Sequence, residues 1–420
     1  MTDLPSHSTR IVWLVCSGIG LLFLIRGAFQ PYFFPLFEQV GNLPYDRIAI
    51  LLSVYVLAQS ICAPFAGWFT DRTSVRATLA MCITLGVGSF LIIASNPDSL
   101  VMGIAVFGCG LAFVLGKIAL NTLLIIHSTA ASLRLSVAKR ATLLNLGSFA
   151  GNTMANHLST RFEYTMLMVL LGLLYVPLTI GFAATTTIPV ERKRPWGIAE
   201  LKILCRNRAF IADGMRRFAI VLPYGCWGTV IPKFLIDQYG SNDPVWIVYL
   251  TSLCTTIIGA HILAVHLSKF MYTRGFKWEW WSMTSVGFYC AGLLLLVFSH
   301  NAIMLPLAIV VFMFGEVLMT PCFDETARRH SQDAGMGTCL GLLHFVDGMG
   351  RMLGTAFALF MYGIMKGTTW EPYYWPLVVG CFLSMATVVH LAAHSIPGQQ
   401  PKPHGPSVPD LTGTHCEAGS

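Results

Sequence analysis

Long apolar segments alternate with short polar stretches along almost the whole chain. A helix that crosses a bilayer needs about 20 predominantly apolar residues, and twelve segments reach that length approximately. They cover residues 11–36, 47–69, 77–95, 100–126, 141–160, 165–186, 210–237, 245–267, 280–299, 302–321, 336–362 and 375–394.

A polar break at residues 187–209, TIPVERKRPWGIAELKILCRNRA, separates the first six segments from the last six. Because hydrocarbon offers the backbone no hydrogen-bond partner, a spanning segment satisfies its own backbone groups as a helix. The pattern therefore predicts an all-α membrane protein with one six-helix bundle at residues 1–186 and a second at residues 210–394. Residues 187–209 are predicted to form a cytoplasmic linker, and the Pro-rich residues 395–420 a disordered cytoplasmic tail.

Composition agrees with a membrane protein. Apolar residues make up 55% of the chain and charged residues 11%, whereas soluble domains carry about 25% charged residues. This excludes a soluble enzyme, a disordered protein and a nucleic-acid binder. The 12 cysteines form no Cys-x-x-Cys pair and lie mostly in apolar segments, so we interpret them as core residues and predict neither a metal site nor a cofactor.

The basic residues are distributed unevenly between the two sides of the predicted membrane. If the N-terminus is cytoplasmic, the loops on that side hold 18 bases, and the loops on the other side hold only Arg47, Arg161 and Lys366. Bases are enriched in cytoplasmic loops, so we predict a multi-pass protein of the cytoplasmic (inner) membrane with both termini cytoplasmic. No small-residue cleavage site follows the first apolar segment, which is therefore expected to be a retained span.

One loop carries a specific motif. The second segment ends in GWFTDRTSVRATL, which contains Gly67, Asp71, Arg72 and Arg76. A glycine allows a neighbouring helix to approach closely, and an acid beside two bases can form ion pairs that break when helices move. This string is similar to the G-x-x-x-D-R-x-x-x-R signature of the major facilitator superfamily. Six plus six helices, the basic linker and this loop together resemble that superfamily over residues 10–395.

The resemblance implies a secondary transporter in which two pseudo-symmetric six-helix bundles enclose a central cavity that opens alternately to each side. It also implies that Asp71, Arg72 and Arg76 form a charge latch that holds one access state. Ser74 stands where the family has a glycine, and the corresponding loop of the second half, LSKFMYTRGFKWEW, lacks the acid. We expect a monomer whose partners are a small-molecule substrate, protons and the lipid bilayer.

Several ionisable residues fall within the predicted spans. Each charge at the bilayer centre costs about 2.5–3.5 kcal/mol on an insertion scale, so such residues indicate function. Lys233 lies near the outer end of its span, can reach the interface and is interpreted as structural. The other bases are Arg26, Lys117, Arg216, Arg217 and Arg351, and the acids at similar depth are Asp213, Glu316 and Asp347.

The five bases outnumber the three acids, which favours an anionic substrate if they share a water-filled cavity. Spacing allows structural ion pairs on single helices as an alternative, since Asp213 precedes Arg216 by three residues and Asp347 precedes Arg351 by four. Arg26 and Lys117 have no acid within one helical turn, and each has an amide side chain one turn further on. The predicted substrate-binding residues are Arg26, Gln30, Lys117, Asn121, Arg216, Arg217 and Arg351.

A proton-coupled transporter needs a group that binds a proton in one state and releases it in the other. Glu316 has no base within one turn of its own helix, and His344 lies three residues before Asp347 on one helical face. We predict Glu316 or Asp347 as the proton carrier, with His344 and Asp213 as further candidates.

The sequence predicts a secondary transporter for an anionic or carboxylate-bearing solute, such as a siderophore or an organic acid, working as a symporter or antiporter. The alternative is a multidrug efflux proton antiporter for amphiphilic compounds, similar to bacterial efflux members of the superfamily. Antiport-type members carry a proline after the second glycine of a Gly-x-x-x-Gly motif. Here Asn152 follows Gly151, so the helix need not kink in the same way, which argues against drug antiport. A membrane enzyme is not expected, because His390 and His394 lack the carboxylate or cysteine companions of a metal site.

Overall fold

The computed structural model describes residues 4–30, 37, 45–95, 98–128, 133–159, 163–178, 199–240, 243–262, 278–301, 303–331 and 335–395. Within these ranges the regular secondary structure is entirely helical. In the first half of the chain the helices are α1 (Leu4–Phe29), α2 (Tyr45–Ile61), α3 (Ala63–Arg72), α4 (Val75–Ala94), α5 (Ser99–Ile126), α6 (Leu133–Ser159) and α7 (Tyr164–Leu173).

The second half begins with a short helix in the linker. Its helices are α8 (Ala199–Arg206), α9 (Arg208–Tyr224), α10 (Val230–Tyr239), α11 (Asp243–Ile262), α12 (Trp278–Leu295), α13 (Met304–His330), α14 (Met336–Met365) and α15 (Tyr374–Ser395). Single 3₁₀ turns cover Leu296–Phe298 and Glu371–Tyr373. The predicted tail beyond residue 395, most of the linker and the loop LSKFMYTRGFKWEW up to residue 277 lie outside the described residues.

Each of the twelve predicted segments contains described helix, and two of them are interrupted. Helices α2 and α3 form one apolar segment that bends by 43°, and Pro64 occupies the first turn of α3. Helix α9 ends one residue after Pro223, and α10 continues the segment after a short turn. Proline lacks the backbone N–H that a continuous helix needs, which accounts for the bend before α3.

Length and composition identify membrane-crossing candidates among the described helices. Four qualify directly, at Ile11–Phe29, Val75–Ala94, Leu100–Ile126 and Glu371–Ser395, and the bent pair α2–α3 makes a fifth. Shorter apolar helices cover Tyr164–Leu173, Trp246–Gly259, Met283–Phe298 and Met304–Thr320. The count of twelve spans is consistent with these findings.

The buried apolar residues form two large clusters. One is drawn mainly from residues 12–178 and includes Phe323, Cys339, Leu340 and Leu343 from α13 and α14. The other is drawn from residues 219–386. The two halves of the chain therefore have separate cores, and α14 contributes to the first core although it belongs to the second half.

Small residues allow the helices to approach closely. Gly147 and Gly151 of α6 face the backbone carbonyls of Gly20 and Leu24 on α1, so that a side chain at either glycine would overlap the backbone of α1. Tight packing of this kind is a main source of helix association in lipid, where the hydrophobic effect between helices is absent.

We expect Gly147→Ala and Gly151→Ala each to destabilise the protein by about 1–3 kcal/mol, because the added methyl group forces α1 and α6 apart. Reversible unfolding in mixed detergent micelles measures the change. Gly88→Ala is the matched control, because a Cβ there meets no atom within 4 Å. Equal stability of all three variants would contradict the packing of α1 against α6.

Candidate functional site

Helix α14 carries three ionisable residues on one face. His344, Asp347 and Arg351 follow one another at spacings of three and four residues, which places them on one side of a helix. Asp347 is buried, whereas His344 and Arg351 are half-buried.

Asp347 binds two arginines. Arg351, one turn further along α14, places Nη2 2.7 Å from Oδ2 of Asp347. Arg217 on α9 donates to Oδ1 from Nε at 3.0 Å and from Nη2 at 2.6 Å. Since one carboxylate neutralises only one of the two guanidinium groups, this group of three residues retains one positive charge.

Aromatic side chains surround the two arginines. The guanidinium of Arg217 lies 4.7 Å from the ring centre of Phe323, and that of Arg351 lies 4.4 Å from the ring centre of Tyr224. Aromatic faces stabilise cations without neutralising them. Tyr224 also interacts electrostatically with Glu316 on α13, so Glu316 joins the same group of residues.

Two further bases come from the first half of the chain. Lys117 on α5 places Nζ 3.4 Å from Nδ1 of His344. Arg26 on α1 donates from Nε to Gln30 at 2.8 Å and lies over the rings of Phe23 and Phe113. Among the described residues, neither base has a carboxylate within ion-pair distance. Both interact electrostatically with Arg351 and Asp347.

These residues form one group, which we name the central cluster: Arg26, Lys117, Arg217, Glu316, His344, Asp347 and Arg351. It contains four bases and two acids besides His344. With the acids ionised and His344 neutral, the central cluster carries an excess of two positive charges. Lys117 and His344 join α5 of the first half directly to α14 of the second, and Arg26 on α1 interacts electrostatically with Arg351 and Asp347.

Two predicted site residues lie in a separate buried group. Arg216 donates to Asp213 at 3.0 Å, as their spacing on α9 allows, and Nε2 of His330 lies 3.1 Å from the second oxygen of Asp213. The ring of Phe210 packs edge-on against His330. Arg217 does not join this group, because it contacts Asp347 instead.

A further group, which the sequence did not reveal, joins the two halves of the chain. Arg140 on α6 donates to both carboxylate oxygens of Asp324 on α13, at 2.9 and 2.7 Å, and to Asn121 on α5 at 3.3 Å. The charge count places Arg140 in a basic loop, yet it is 6% exposed and Asp324 is fully buried. One feature of the sequence indicates that Asp324 is buried. It follows Glu316 by eight residues, so both acids lie toward the same side of α13.

The loop motif contacts the beginning of α14. Asp71 accepts hydrogen bonds from the backbone N–H groups of Gly337 and Thr338 and from the Thr338 hydroxyl, at 2.7–2.8 Å. A carboxylate at a helix N-terminus binds unpaired N–H groups and the positive end of the helix dipole. Gly67 packs against the backbone of Gly337, where only a glycine fits.

The two arginines of the motif lie beside this contact. Arg72 is buried, donates to Glu200 of α8 at 3.0 Å and lies over the ring of Trp68. Arg76 is half-buried in the first turn of α4. The loop motif, the linker helix α8 and α14 therefore connect at the side that is predicted to be cytoplasmic.

The remaining predictions concern surface residues and metals. Lys233 pairs with Asp237 at 2.8 Å and is half exposed, as a residue at a span end can be. In the part of the chain that the structure describes, no cluster of His, Cys, Asp and Glu could hold a metal ion.

An all-helical membrane protein whose two halves meet around an ionisable cluster, and connect at one end through charged contacts, has the architecture of a secondary transporter. The sequence model of the Major Facilitator Superfamily matches residues 15–355. The chain belongs to the Major Facilitator Superfamily, which confirms the predicted family and fold class.

Solved structures have the same fold. The human organic anion transporter MFSD10 (TETRAN) is similar at a TM-score of 0.62 and 14% identity, over 93% of this chain and 99% of that one. A variant of the Escherichia coli fucose:proton symporter FucP is similar at a TM-score of 0.64 and 13% identity, over 91% of this chain and 98% of that one. No curated protein sequence gives a significant match. At these identities the similarity shows the fold alone, and the roles of single residues stay predictions.

The contact between Arg140 and Asp324 predicts strong energetic coupling. In a double-mutant cycle with Arg140→Gln and Asp324→Asn, we expect a coupling free energy of about 1–3 kcal/mol, because each single change leaves a buried charge unpaired. Unfolding in mixed micelles measures it. The pair of half-exposed Lys233 with Asp237, which Lys366 also binds, is the control and should give a smaller value, about 0.2–1 kcal/mol. Additive effects at Arg140 and Asp324 would show that the two side chains do not pair.

Proposed function

We propose that the protein carries a small organic anion across the cytoplasmic membrane by alternating access, coupled to protons. The observation that carries this proposal is the excess of two positive charges in the central cluster. The family membership supports secondary transport of a small molecule by a multi-pass membrane protein. The charge of the solute is inferred from the cluster.

A basic site favours an anion for two reasons. Charges interact more strongly where water is scarce, since the interaction energy scales inversely with the effective dielectric constant. Arg26 and Lys117 also have no carboxylate partner within the described ranges, so an anion replaces the hydration that burial has removed. A cationic drug would instead be repelled by the same excess, which disfavours the multidrug alternative.

The basic partners of Asp347, Asp213 and Glu316 indicate which of the three acids carries the proton. Asp347 is held by two arginines, which stabilise its ionised form. Asp213 is held by Arg216 and His330. Glu316 has no basic partner at ion-pair distance in the described chain and lies near Tyr224, so we propose Glu316 as the proton carrier.

Alternating access requires the contacts at the predicted cytoplasmic side to break and re-form. We propose that the bonds from Asp71 to the start of α14, and the pair of Arg140 and Asp324, close that side in this structure. Both join the first half of the chain to the second, so separating the halves there must break them. Helix α14 carries both the closing contact at Thr338 and the substrate-facing residues, which couples the gate to the site.

The substrate class is tested first by binding. We expect carboxylates such as benzoate, succinate and citrate to raise the midpoint of thermal unfolding of the purified protein, because a ligand of the folded state stabilises it. The cations ethidium and tetraphenylphosphonium should give no increase. Stabilisation by the cations alone would support multidrug efflux instead.

Transport of the carboxylate that stabilises the protein most should depend on Arg26. In proteoliposomes, Arg26→Gln is expected to reduce uptake to the level of empty vesicles, since the charge that pairs with the substrate is lost. Lys233→Gln is the matched control, a loss of one positive charge outside the central cluster, and should transport normally. Normal uptake by Arg26→Gln would remove Arg26 from the substrate site.

Proton coupling is tested at Glu316. We expect Glu316→Gln to retain exchange of labelled for unlabelled substrate while losing accumulation driven by a proton gradient, because a glutamine binds no proton. A protonophore should abolish accumulation by the unaltered protein. If Glu316→Gln accumulates substrate as the unaltered protein does, another group carries the proton.

A further inference from the structure

Three buried nitrogen atoms of the central cluster, all on helices of the second half, have no hydrogen-bond partner among the described residues. They are Nη1 of Arg217, Nε of Arg351 and Nε2 of His344. Those of the two arginines are donors in every ionisation state of the protein. Leaving a buried donor unpaired is unfavourable, so this site lacks acceptor atoms.

Lys117 determines the state of His344. A lysine ammonium group donates hydrogen bonds and cannot accept them. The 3.4 Å contact from Nζ of Lys117 to Nδ1 of His344 therefore fits a neutral imidazole that accepts at Nδ1 and carries its proton on Nε2. That N–H is a further buried donor without a partner in the described chain. Lys117 uses one of its three donors on His344 and has no other bond to the described residues.

The two bases of the central cluster that come from the first half, neither of which has a carboxylate at ion-pair distance among the described residues, lie on different helices. Arg26 is on α1, and among the described residues its one side-chain hydrogen bond runs from Nε to Gln30. Lys117 is on α5 and contacts α14 through His344. A solute with one negative charge can neutralise one of these bases and leaves the other without a counter-charge. A solute with two negative groups can neutralise both.

We propose that the solute is a dianion with two separate negative groups, of the dicarboxylate class, bound by Arg26 at one end and by Lys117 at the other. This inference rests on the proposed transport of an organic anion. Complete neutralisation of the central cluster requires two negative charges, and the unpaired donors require several acceptor oxygens. Two carboxylates supply both, and a carbon chain between them lets each reach a base on a different helix.

The test compares ligands that differ only in charge. Binding to the purified full-length protein is measured by calorimetry for linear dicarboxylates of increasing length, beginning with succinate, and for the monoamide and diamide of each. We expect the best dicarboxylate to bind at least about tenfold more tightly than its monoamide, because one ion pair in a partly buried site is lost. The diamide should not bind measurably.

Variants of Lys117 then test whether this base binds one end of the dicarboxylate. Lys117→Gln should bring the dicarboxylate to the affinity of its monoamide while leaving the affinity for the monoamide within about threefold. Lys117→Arg keeps the charge and should restore the preference, which distinguishes a charge requirement from a change of shape. Lys233→Gln, outside the cluster, should bind as the unaltered protein does.

The outcomes separate this inference from the proposed function. If monoamides bind as tightly as dicarboxylates, the dianion inference is wrong and anion transport stands. If neither series binds, both fail. If sulfate, a dianion with its charge on one group, binds as tightly as the best dicarboxylate and also depends on Lys117, the assignment of two separate groups is wrong.

Discussion

One carboxylate, that of Asp347, holds two arginines in the interior of a membrane protein. An arginine without a counter-charge is costly in this environment, and a single acid between two arginines offsets only part of that cost. Arg217 comes from α9 and Arg351 from α14, so the acid also fixes the relative position of the two helices. Removing Asp347 leaves two buried charges unpaired, whereas retaining it leaves one positive charge available. The same interaction thus stabilises the packing of α9 against α14 and leaves the central cluster basic.

Helix α14 links this interior charge to the end of the molecule that carries the loop motif. Its N-terminus is bound by Asp71 of the loop motif, its next turns pack into the core of the first half, and its middle carries the ionisable residues. A movement that releases Asp71 must also shift His344 relative to Lys117 on α5. Substrate binding and gate opening can therefore be coupled through one rigid helix, without a separate pathway.

Much of the fold could be predicted from the sequence, because segment length and local spacing are properties of the sequence itself. The apolar segments predicted helices, the loop motif indicated the family, and spacing on one helix predicted the pair of Asp347 and Arg351. The decisive contacts of the site could not be predicted. Arg217 and Asp347 are 130 residues apart, and Lys117 and His344 are 227 apart, so these contacts depend on how helices pack. A charge count alone also placed Arg140 in a loop, because local sequence does not show whether a base at a span end turns inward.

The account depends on a positive potential at a water-accessible central cluster, and the reaction of a thiol placed there measures that potential directly. Gln30→Cys, in a background whose native cysteines are replaced, puts a thiol beside Arg26. Its reaction rates with an anionic and a cationic methanethiosulfonate reagent are each divided by the rate for a free thiol in solution. We predict that the anionic reagent is relatively faster, and that Lys117→Gln reduces this preference. A relatively faster cationic reagent, or no reaction with either reagent, would contradict the account.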